Sequence, residues 1–228
     1  PSVGIEAFLR DELPRYENIG TQVILSISGS EPVHYAEIAE LVGDDPRIAA
    51  LEMNLSCPNV GSGLPFSSDP QLLYDTVRQT RQRTPLPLYA KLSPNVTDIR
   101  VSCRAAEDAG ADALTLSNTF RAMTIDIQKR RPYLGNLSGG MSGPGMLPLA
   151  VRMVYQVAQA VKVPIIGMGG IASAEDALEF ILAGATAVSI GTANFFNPYA
   201  TVETVRGIEE YMRRHKVDDI NSLIGAVR

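Results

Sequence analysis

Short apolar runs alternate along the chain with segments whose apolar residues recur at helical spacing. The runs that predict β-strands are Gln22–Ser28, Ile48–Ser56, Leu86–Leu92, Ala113–Asn118, Val163–Met168 and Ala187–Gly191. Their apolar or small residues are continuous, as is typical of parallel strands that helices cover on both faces. Helices are predicted at Pro32–Val42, Pro70–Gln82, Thr97–Ala109, Leu147–Val161, Ala174–Leu182, Tyr199–Arg214 and Asp218–Val227. The alternation predicts an α/β fold.

One structural unit recurs within the chain. Ala109–Leu116 and Ala183–Ile190 share a pattern in which a helix ends at glycine and small residues lead into a buried strand. Ser173, with Asp176 three residues later, predicts a capped helix start, and Gly184 predicts the end of that helix. Such repetition is typical of a parallel barrel or a doubly wound sheet. No Gly-x-Gly-x-x-Gly motif follows the first strand, which disfavours a dinucleotide-binding fold.

The number of predicted strands bears on the choice of architecture. A (β/α)8 TIM barrel needs two strands more than the six predicted here. Residues 1–20 contain a helical pattern at Val3–Leu13 but no strand pattern, and the first residue is Pro1 rather than Met. We therefore expect a TIM barrel whose first two βα units are absent from this sequence, in a single domain over residues 1–228. Its longest connection, Asn118–Pro148, has room for a small hairpin.

Composition and charge narrow the classes of function. With 45% hydrophobic and 20% charged residues the chain is globular rather than disordered, collagen-like or a disulfide scaffold. The 20 basic and 25 acidic residues give a net charge of −5, and no basic cluster suggests binding to nucleic acid or to an anionic membrane. No run reaches the roughly 18–20 apolar residues of a membrane helix. Two cysteines suit the reducing cytoplasm.

Polar residues and glycines collect at the carboxyl ends of the predicted strands. In parallel barrels these ends share one face, where active sites form. The strand ends are Ser26–Gly29, Asn54–Asn59, Lys91–Asn95, Ser117–Thr119, Gly167–Gly170 and Gly191–Thr192. Glycines after the last two strands let backbone N–H groups approach an anion, and the following helix start adds a favourable dipole. We expect a phosphate site there rather than tight turns alone.

The reactive side chains leave several interpretations open. Cys57 begins a loop, where a thiolate can act as base or nucleophile, although a lone cysteine is more often structural. Lys91 ends an apolar strand and needs an anionic partner, unless its ammonium reaches solvent. Cys103 is predicted to lie in the core. His34 and His215 lie in peripheral helical segments, so we predict no metal site and no histidine-based triad.

Six motifs, in this order, resemble those of class 1 dihydroorotate dehydrogenase catalytic subunits, over the whole chain. They are Asn54–Asn59 (NLSCPN), Lys91–Asp98 (KLSPNVTD), Ser117–Thr119 (SNT), Gly139–Pro144 (GGMSGP), Gly167–Gly170 (GMGG) and Gly191–Asn194 (GTAN). The second and fourth are most similar to the class 1B branch. That branch works with a separate FAD and iron–sulfur subunit and passes electrons to NAD. The resemblance implies a homodimer that oxidises dihydroorotate to orotate with FMN, in pyrimidine biosynthesis.

The resemblance also implies roles for individual residues. Cys57 would be the catalytic base that removes the C5 proton of dihydroorotate while a hydride leaves C6 for FMN N5. Dihydroorotate would be held by Asn54, Asn59, Asn118 and Thr119. FMN would be contacted by Ser26, Asn54, Lys91, Ser117, Gly143, Gly169, Gly170, Gly191 and Thr192. The last four would surround the phosphate, and Lys91 would stabilise the reduced, anionic ring.

Two departures from the family pattern leave alternatives open. Ser26 stands where class 1 members usually carry an asparagine that contacts the flavin. The family's first strands, which carry a second lysine and an Asn/Gly-rich loop, have no counterpart in this sequence. The alternatives are a flavin-dependent reductase of a free pyrimidine base, which would share Cys57, and a non-catalytic truncated barrel. A phosphosugar isomerase with the same phosphate site would lack a strand-end acid/base pair.

Overall fold

The computed structural model describes residues 3–56 and 66–227. It contains two compact units, one formed by Pro1–Leu92 with Arg100–Leu114 and the other by Ser93–Ile99 with Thr115–Arg228. Each unit combines parallel strands with helices, which confirms the predicted α/β class. The TIM barrel and its two absent units remain predictions.

Three parallel strands form the sheet of the first unit, in the order β1 (Val23–Ile27), β2 (Ile48–Asn54) and β3 (Leu88–Lys91). Ser26 lies opposite Glu52, and Asn54 lies opposite Lys91. Strand β4 (Ala113–Leu116) begins in this unit, where the N–H of Asp112 donates to the Leu88 carbonyl at 2.8 Å. The strands end one or two residues before their predicted limits, but Ser26, Asn54 and Lys91 still lie within them.

The helices of the first unit are α1 (Ile5–Ala7), α2 (Pro32–Val42), α3 (Pro70–Arg81) and most of α4 (Ile99–Asp108). The start of α3 is capped by Asp69, whose side chain accepts the N–H groups of Gln71 and Leu72 at 3.0 and 3.1 Å. The helical pattern predicted at Val3–Leu13 is confirmed from Ile5 onward, although only Ile5–Ala7 is α-helical. After α1 the chain continues as a π-helical turn and then a 3₁₀ turn, because Pro14 has no N–H for a helical hydrogen bond.

The sheet of the first unit has an apolar face and a polar face, because successive side chains of a strand point in opposite directions. On one face Leu51, Met53, Leu88 and Ala90 are fully buried. The helices contribute buried side chains to the same core, which are Tyr35, Ala39, Leu73, Val77, Ala106 and, as predicted, Cys103. The other face of the strands presents the polar residues Ser26, Glu52, Asn54 and Lys91.

The second unit contains the end of β4 and the parallel pair β9 (Ile165–Met168) and β10 (Ala187–Ser189). The N–H of Ser117, directly after β4, donates to the Met168 carbonyl at 3.0 Å. The helices are α5 (Leu147–Ala158), α6 (Ala174–Ala183) and α7 (Ala200–His215). In the described residues, no helix has both the length and the apolar character needed to cross a membrane.

The predicted connection from Asn118 to Pro148 contains two antiparallel pairs. Strand β5 (Phe120–Ala122) pairs with β8 (Gly139–Met141), and β6 (Ile125–Asp126) pairs with β7 (Arg131–Pro132) between them. A 3₁₀ turn at Pro144–Met146 then leads into α5. The sequence predicted room for one small hairpin, and the structure adds a second, inner one.

The ends of α6 confirm the sequence signals, but the last predicted helix is wrong. Ser173 and Asp176 form the predicted capping box, and Gly184, with a φ of +120°, ends α6. In place of a helix at Asp218–Val227 there is only a 3₁₀ turn, Ile220–Leu223. The side chain of Asp219 accepts the Asn221 N–H at 2.9 Å, and such local side-chain bonds compete with helix formation.

Candidate active site

Neighbouring strands of the first unit bring three polar side chains together near their carboxyl ends. The hydroxyl of Ser26 on β1 donates to Oε1 of Glu52 on β2 at 3.2 Å. The ammonium nitrogen of Lys91, the last residue of β3, is 3.9 Å from the same oxygen. The side chains of Glu52 and Lys91 are only 14% and 19% exposed. Because a charge that leaves water needs a partner, each of these two side chains compensates the other.

The ammonium of Lys91 keeps its hydrogen-bond donors available. A separation of 3.9 Å is too long for an N–H···O hydrogen bond. Among the residues that the structure describes, the Lys91 side chain makes no other polar contact. A lysine carries three N–H donors, so this strand end offers a partly buried cation to any acceptor that approaches it. The sequence predicted a bound ligand as the anionic partner of Lys91, and that stays a prediction, whereas the structure places the Glu52 carboxylate near the ammonium.

Asn54 lies beside Lys91 at the end of β2, and its backbone is held from two sides. Its carbonyl accepts the hydroxyl of Tyr35 on α2 at 2.8 Å, and the N–H of Leu55 donates to the Lys91 carbonyl at 3.0 Å. The predicted base, Cys57, and the predicted substrate ligand Asn59 lie outside the described residues. The described part of this segment ends at Ser56, two residues after Asn54.

The second unit presents the predicted Ser117–Thr119 motif directly after β4. The peptide bond between Leu116 and Ser117 is cis. The buried Ser117 hydroxyl donates to the Asn118 carbonyl at 3.1 Å. Oδ1 of Asn118 accepts from the backbone N–H and the hydroxyl of Thr119, at 2.7 and 3.2 Å. These bonds hold all three predicted contact residues in one compact loop.

Asn95 fixes this loop from a neighbouring segment of the second unit. Its Nδ2 donates to the Thr119 carbonyl at 3.1 Å, and its Oδ1 accepts the Arg121 N–H at 2.9 Å. Asn95 is itself held by Ser93, whose hydroxyl oxygen accepts the Asn95 N–H and Nδ2 at 3.2 and 3.0 Å. On another side Gly140 of β8 packs against Thr119, because a Cβ at Gly140 would overlap the threonine side chain.

Sequence reasoning missed two residues of this arrangement. Asn95 was part of a quoted motif but had no role, and its side chain proves to hold the loop that carries Thr119. Glu52 was not singled out at all. It is the one carboxylate in the otherwise apolar run Ile48–Met53, and a charged residue inside a buried strand pattern was the available signal.

Two glycine-bearing strand ends lie side by side in the second unit. The register that pairs Met168 with Ser189 sets the residues after β9 next to those after β10, at the roughly 4.8 Å spacing of paired strands. Within the described part of the chain, the N–H groups of Gly169, Gly170, Gly191 and Thr192 donate no hydrogen bond. Four unused donors at adjacent strand ends are a suitable site for an anion.

Gly170 and Gly191 differ in what a side chain at each position would contact. Gly170 has a φ of +81°, and a Cβ there would lie 2.8 Å from the Leu147 nitrogen and 2.9 Å from the Gly143 carbonyl oxygen. A tight contact with the turn before α5 therefore requires glycine at this position. Gly191 has an ordinary φ of −109°, and a Cβ there would meet no atom within 4 Å. The position therefore leaves space open beside the Thr192 N–H.

The helix after β9 contributes less to an anion site than the sequence predicted. The carboxylate of Asp176 accepts the N–H groups of Ala172 and Ser173 at 2.9 Å each. The start of α6 thus carries its own negative charge, and those two donors are already used. The glycine N–H groups, rather than this helix start, form the candidate anion site. No group of three or more His, Cys, Asp or Glu side chains within residues 3–56 and 66–227 is arranged to hold a metal ion.

Comparison with known proteins gives a consistent result. The family model for dihydroorotate dehydrogenase matches residues 1–212. The protein named dihydroorotate dehydrogenase B (NAD(+)), catalytic subunit, from Desulforudis audaxviator is 54% identical over 224 residues, which cover 98% of this chain and 73% of that protein. Proteins of the same name from Geotalea uraniireducens and Lachnoclostridium phytofermentans are 51% and 50% identical. These matches cover 99% of this chain and 74% and 75% of those proteins.

The hydrogen bonds of Asn95 to the Thr119 carbonyl and the Arg121 N–H predict slow hydrogen exchange at the Arg121 amide. Replacing Asn95 by Ala removes the acceptor of the Arg121 N–H, so hydrogen exchange at the Arg121 amide should become about tenfold faster. Exchange at the Asp112 amide, whose acceptor is the Leu88 carbonyl, is the internal control and should stay unchanged. Exchange that is equally slow in the alanine variant would contradict the protecting role of the Asn95 side chain. Exchange is read residue by residue by NMR.

Proposed function

Because this chain belongs to the dihydroorotate dehydrogenase family, we propose that the groups at its strand ends bind FMN and dihydroorotate. The chain is an oxidoreductase of class 1B, and its reaction converts dihydroorotate to orotate in pyrimidine biosynthesis. The family is flavin-dependent, and its B-type enzymes contain a catalytic subunit that works with a partner subunit. The identity of the flavin and the role of each residue are the proposal.

The observation that supports FMN best is the pair of glycine-bearing strand ends. Gly169, Gly170, Gly191 and Thr192 have unused N–H groups on adjacent strands, and the space at Gly191 is open. These groups fit a phosphate monoester, the end of FMN that carries the negative charge. Gly143, whose carbonyl faces Gly170, would contact the same cofactor.

Other residues would hold the flavin ring. Lys91 would direct its ammonium to the pyrimidine edge, where a fixed cation stabilises a ring that becomes anionic on reduction. Its uncommitted donors support this role. Ser26, Asn54 and Ser117 would contact the ring through short polar groups. Because the Ser26 hydroxyl already donates to Glu52, it would reach the flavin only as an acceptor or after rotation.

The proposed chemistry forms the C5=C6 double bond of orotate. Cys57, as a thiolate, removes the proton from C5 of dihydroorotate, and the electron pair of that bond becomes the new double bond. The acceptor for the hydride that leaves C6 would be supplied by FMN when it is bound. Asn54, Asn59, Asn118 and Thr119 would orient the ring of the substrate. The bonds that lock Asn118 and Thr119 into one loop support this, since oriented amide and hydroxyl groups lose little entropy on binding.

The proposal extends to assembly and architecture. We propose a homodimer whose electrons pass to an FAD and iron–sulfur subunit, in keeping with the words "NAD(+)" and "catalytic subunit" in the names of the relatives. Residues 1–228 would act as a single FMN-binding domain of the TIM-barrel type. With only two cysteines, the chain suits the cytoplasm.

Flavin reduction tests the function directly. Protein loaded with FMN should be yellow, and dihydroorotate should bleach its absorbance near 450 nm under anaerobic conditions. Orotate should inhibit this bleaching, whereas a free pyrimidine base without a carboxylate should neither reduce nor oxidise the flavin. Protein that takes up no FMN would overturn the proposal. Flavin that exchanges electrons with the free base instead would favour the pyrimidine-base reductase.

The assignment of the base predicts a selective loss of rate. Cys57→Ala should slow flavin reduction by dihydroorotate by about 10²–10⁴-fold, because a positioned base is lost, while FMN stays bound. Stopped-flow absorbance measures this rate. The matched control is Cys103→Ala. It removes a thiol that is buried in the core, and the rate of flavin reduction should stay near that of the parent. A normal rate in the Cys57 variant would refute the role of this thiol.

The phosphate site predicts a selective loss of FMN affinity. Gly191→Ala introduces a methyl group into open space beside the Thr192 N–H, so FMN should bind about tenfold more weakly or worse, with unchanged thermal stability of the flavin-free protein. Gly135→Ala is the control, because a Cβ there also meets nothing within 4 Å but lies far along the chain from β10. Fluorescence titration measures both affinities. Equal affinity in both variants would remove Gly191 from the site.

A further inference from the structure

Glu52 has no part in the proposed function, yet it is the side chain that faces Lys91 in the first unit. Its Oε1 lies 3.9 Å from the Lys91 ammonium, and both side chains are more than four-fifths buried. Glu52 lies on the same face of β2 as Asn54, two residues earlier, and Asn54 is the residue opposite Lys91. A carboxylate so close to a cation that is meant to stabilise an anionic ring opposes the effect of that cation.

The position of the Glu52 carboxylate is fixed rather than accidental. The Ser26 hydroxyl donates to the same Oε1 at 3.2 Å, so the oxygen nearest Lys91 is held from the neighbouring strand. This hydroxyl belongs to the residue at which the chain departs from the asparagine expected in class 1. All three side chains are on paired strands, where the backbone leaves little freedom for the spacing between them.

A second ion pair of the same unit shows what a merely structural pair looks like. Arg83 Nη1 lies 2.8 Å from Glu40 Oε2, and these side chains are 55% and 62% exposed. That pair forms a short hydrogen bond in solvent, where water screens both charges. The Glu52–Lys91 pair has the opposite properties, since its charges are shielded from water but remain too far apart for a hydrogen bond. Its field is therefore felt by a neighbouring ligand.

We propose that Glu52 is a positioning residue that acts through Lys91 and sets the reduction potential of the bound flavin. Its carboxylate offsets part of the Lys91 charge, so the reduced flavin is less stabilised than an unopposed lysine would make it. Lys91 raises the potential, Glu52 lowers it, and Ser26 holds Glu52 in place. This inference rests on the proposed binding of FMN near Lys91.

The test compares single charge removals in the FMN-loaded chain. Sulfite adds to N5 of an oxidised flavin and leaves negative charge on the ring, so its dissociation constant reports the local electrostatic potential without turnover. Glu52→Gln should tighten sulfite binding about tenfold, and Lys91→Met should weaken it by a similar factor. For the two-electron couple, a tenfold change corresponds to a shift of the midpoint potential of about 30 mV, upward for Glu52→Gln and downward for Lys91→Met.

Two further variants keep the test decisive. Glu40→Gln makes the same chemical change in the exposed pair and should leave sulfite binding and potential unchanged. Glu52→Asp keeps the charge but withdraws it by one methylene, and should tighten sulfite binding about two- to threefold. If Glu52→Gln does not fold, the sulfite affinity of Glu52→Asp tests the proposal instead.

The outcomes separate this inference from the proposed function. FMN that binds and is bleached by dihydroorotate, but has the same sulfite affinity in the Glu52 variants as in the parent, overturns the role of Glu52 and leaves the function intact. Weaker sulfite binding in Glu52→Gln also overturns it, because Glu52 would then only hold Lys91 in place. A parent chain that binds no FMN overturns both. Opposite shifts from Glu52→Gln and Lys91→Met support the inference.

Discussion

Parallel pairing of strands is the constraint that positions the candidate residues at the strand ends of each unit. Because β1, β2 and β3 run in the same direction, their carboxyl ends meet at one edge, and the register sets Ser26 beside Glu52 and Asn54 beside Lys91. The same constraint in the second unit sets the glycines after β9 beside those after β10. Residues that are far apart along the chain become neighbours across the backbone hydrogen bonds of the paired strands.

Because side chains alternate along each strand, the residues that stabilise the core lie on one face and the polar candidate residues on the other. In the first unit, Leu51 and Met53 face the helices and are fully buried, while Glu52 and Asn54 point the other way. A slip of one residue would exchange these two sets and bury a carboxylate among apolar side chains. The apolar face thus fixes the register, and the register fixes the polar face.

The two units use different means to prepare for a ligand. The first offers charge, in the form of a cation whose donors are uncommitted and whose counter-charge is built in. The second offers preorganised polar groups, with a loop held by Asn95 and backbone N–H groups left unused at glycines. The first means suits a ring that becomes anionic, and the second suits a phosphate, which is always anionic. Ser26, at which the chain departs from the family pattern, holds Glu52 through its hydroxyl.

The sequence by itself determined the features that depend on nearby residues. Pro32 and Ser173 begin helices where predicted, Gly184 ends one, and the apolar runs became the strands of both units. It was misled at Asp218–Val227, where an aspartate turn overrides helical periodicity, and it did not distinguish the π and 3₁₀ turns after Ala7 from an α-helix. Only the tertiary structure decided that Glu52 faces Lys91 and that Asn95 holds the Thr119 loop. These contacts join residues 24 to 39 positions apart, and register and side-chain direction in folded strands and loops are properties that no local pattern encodes.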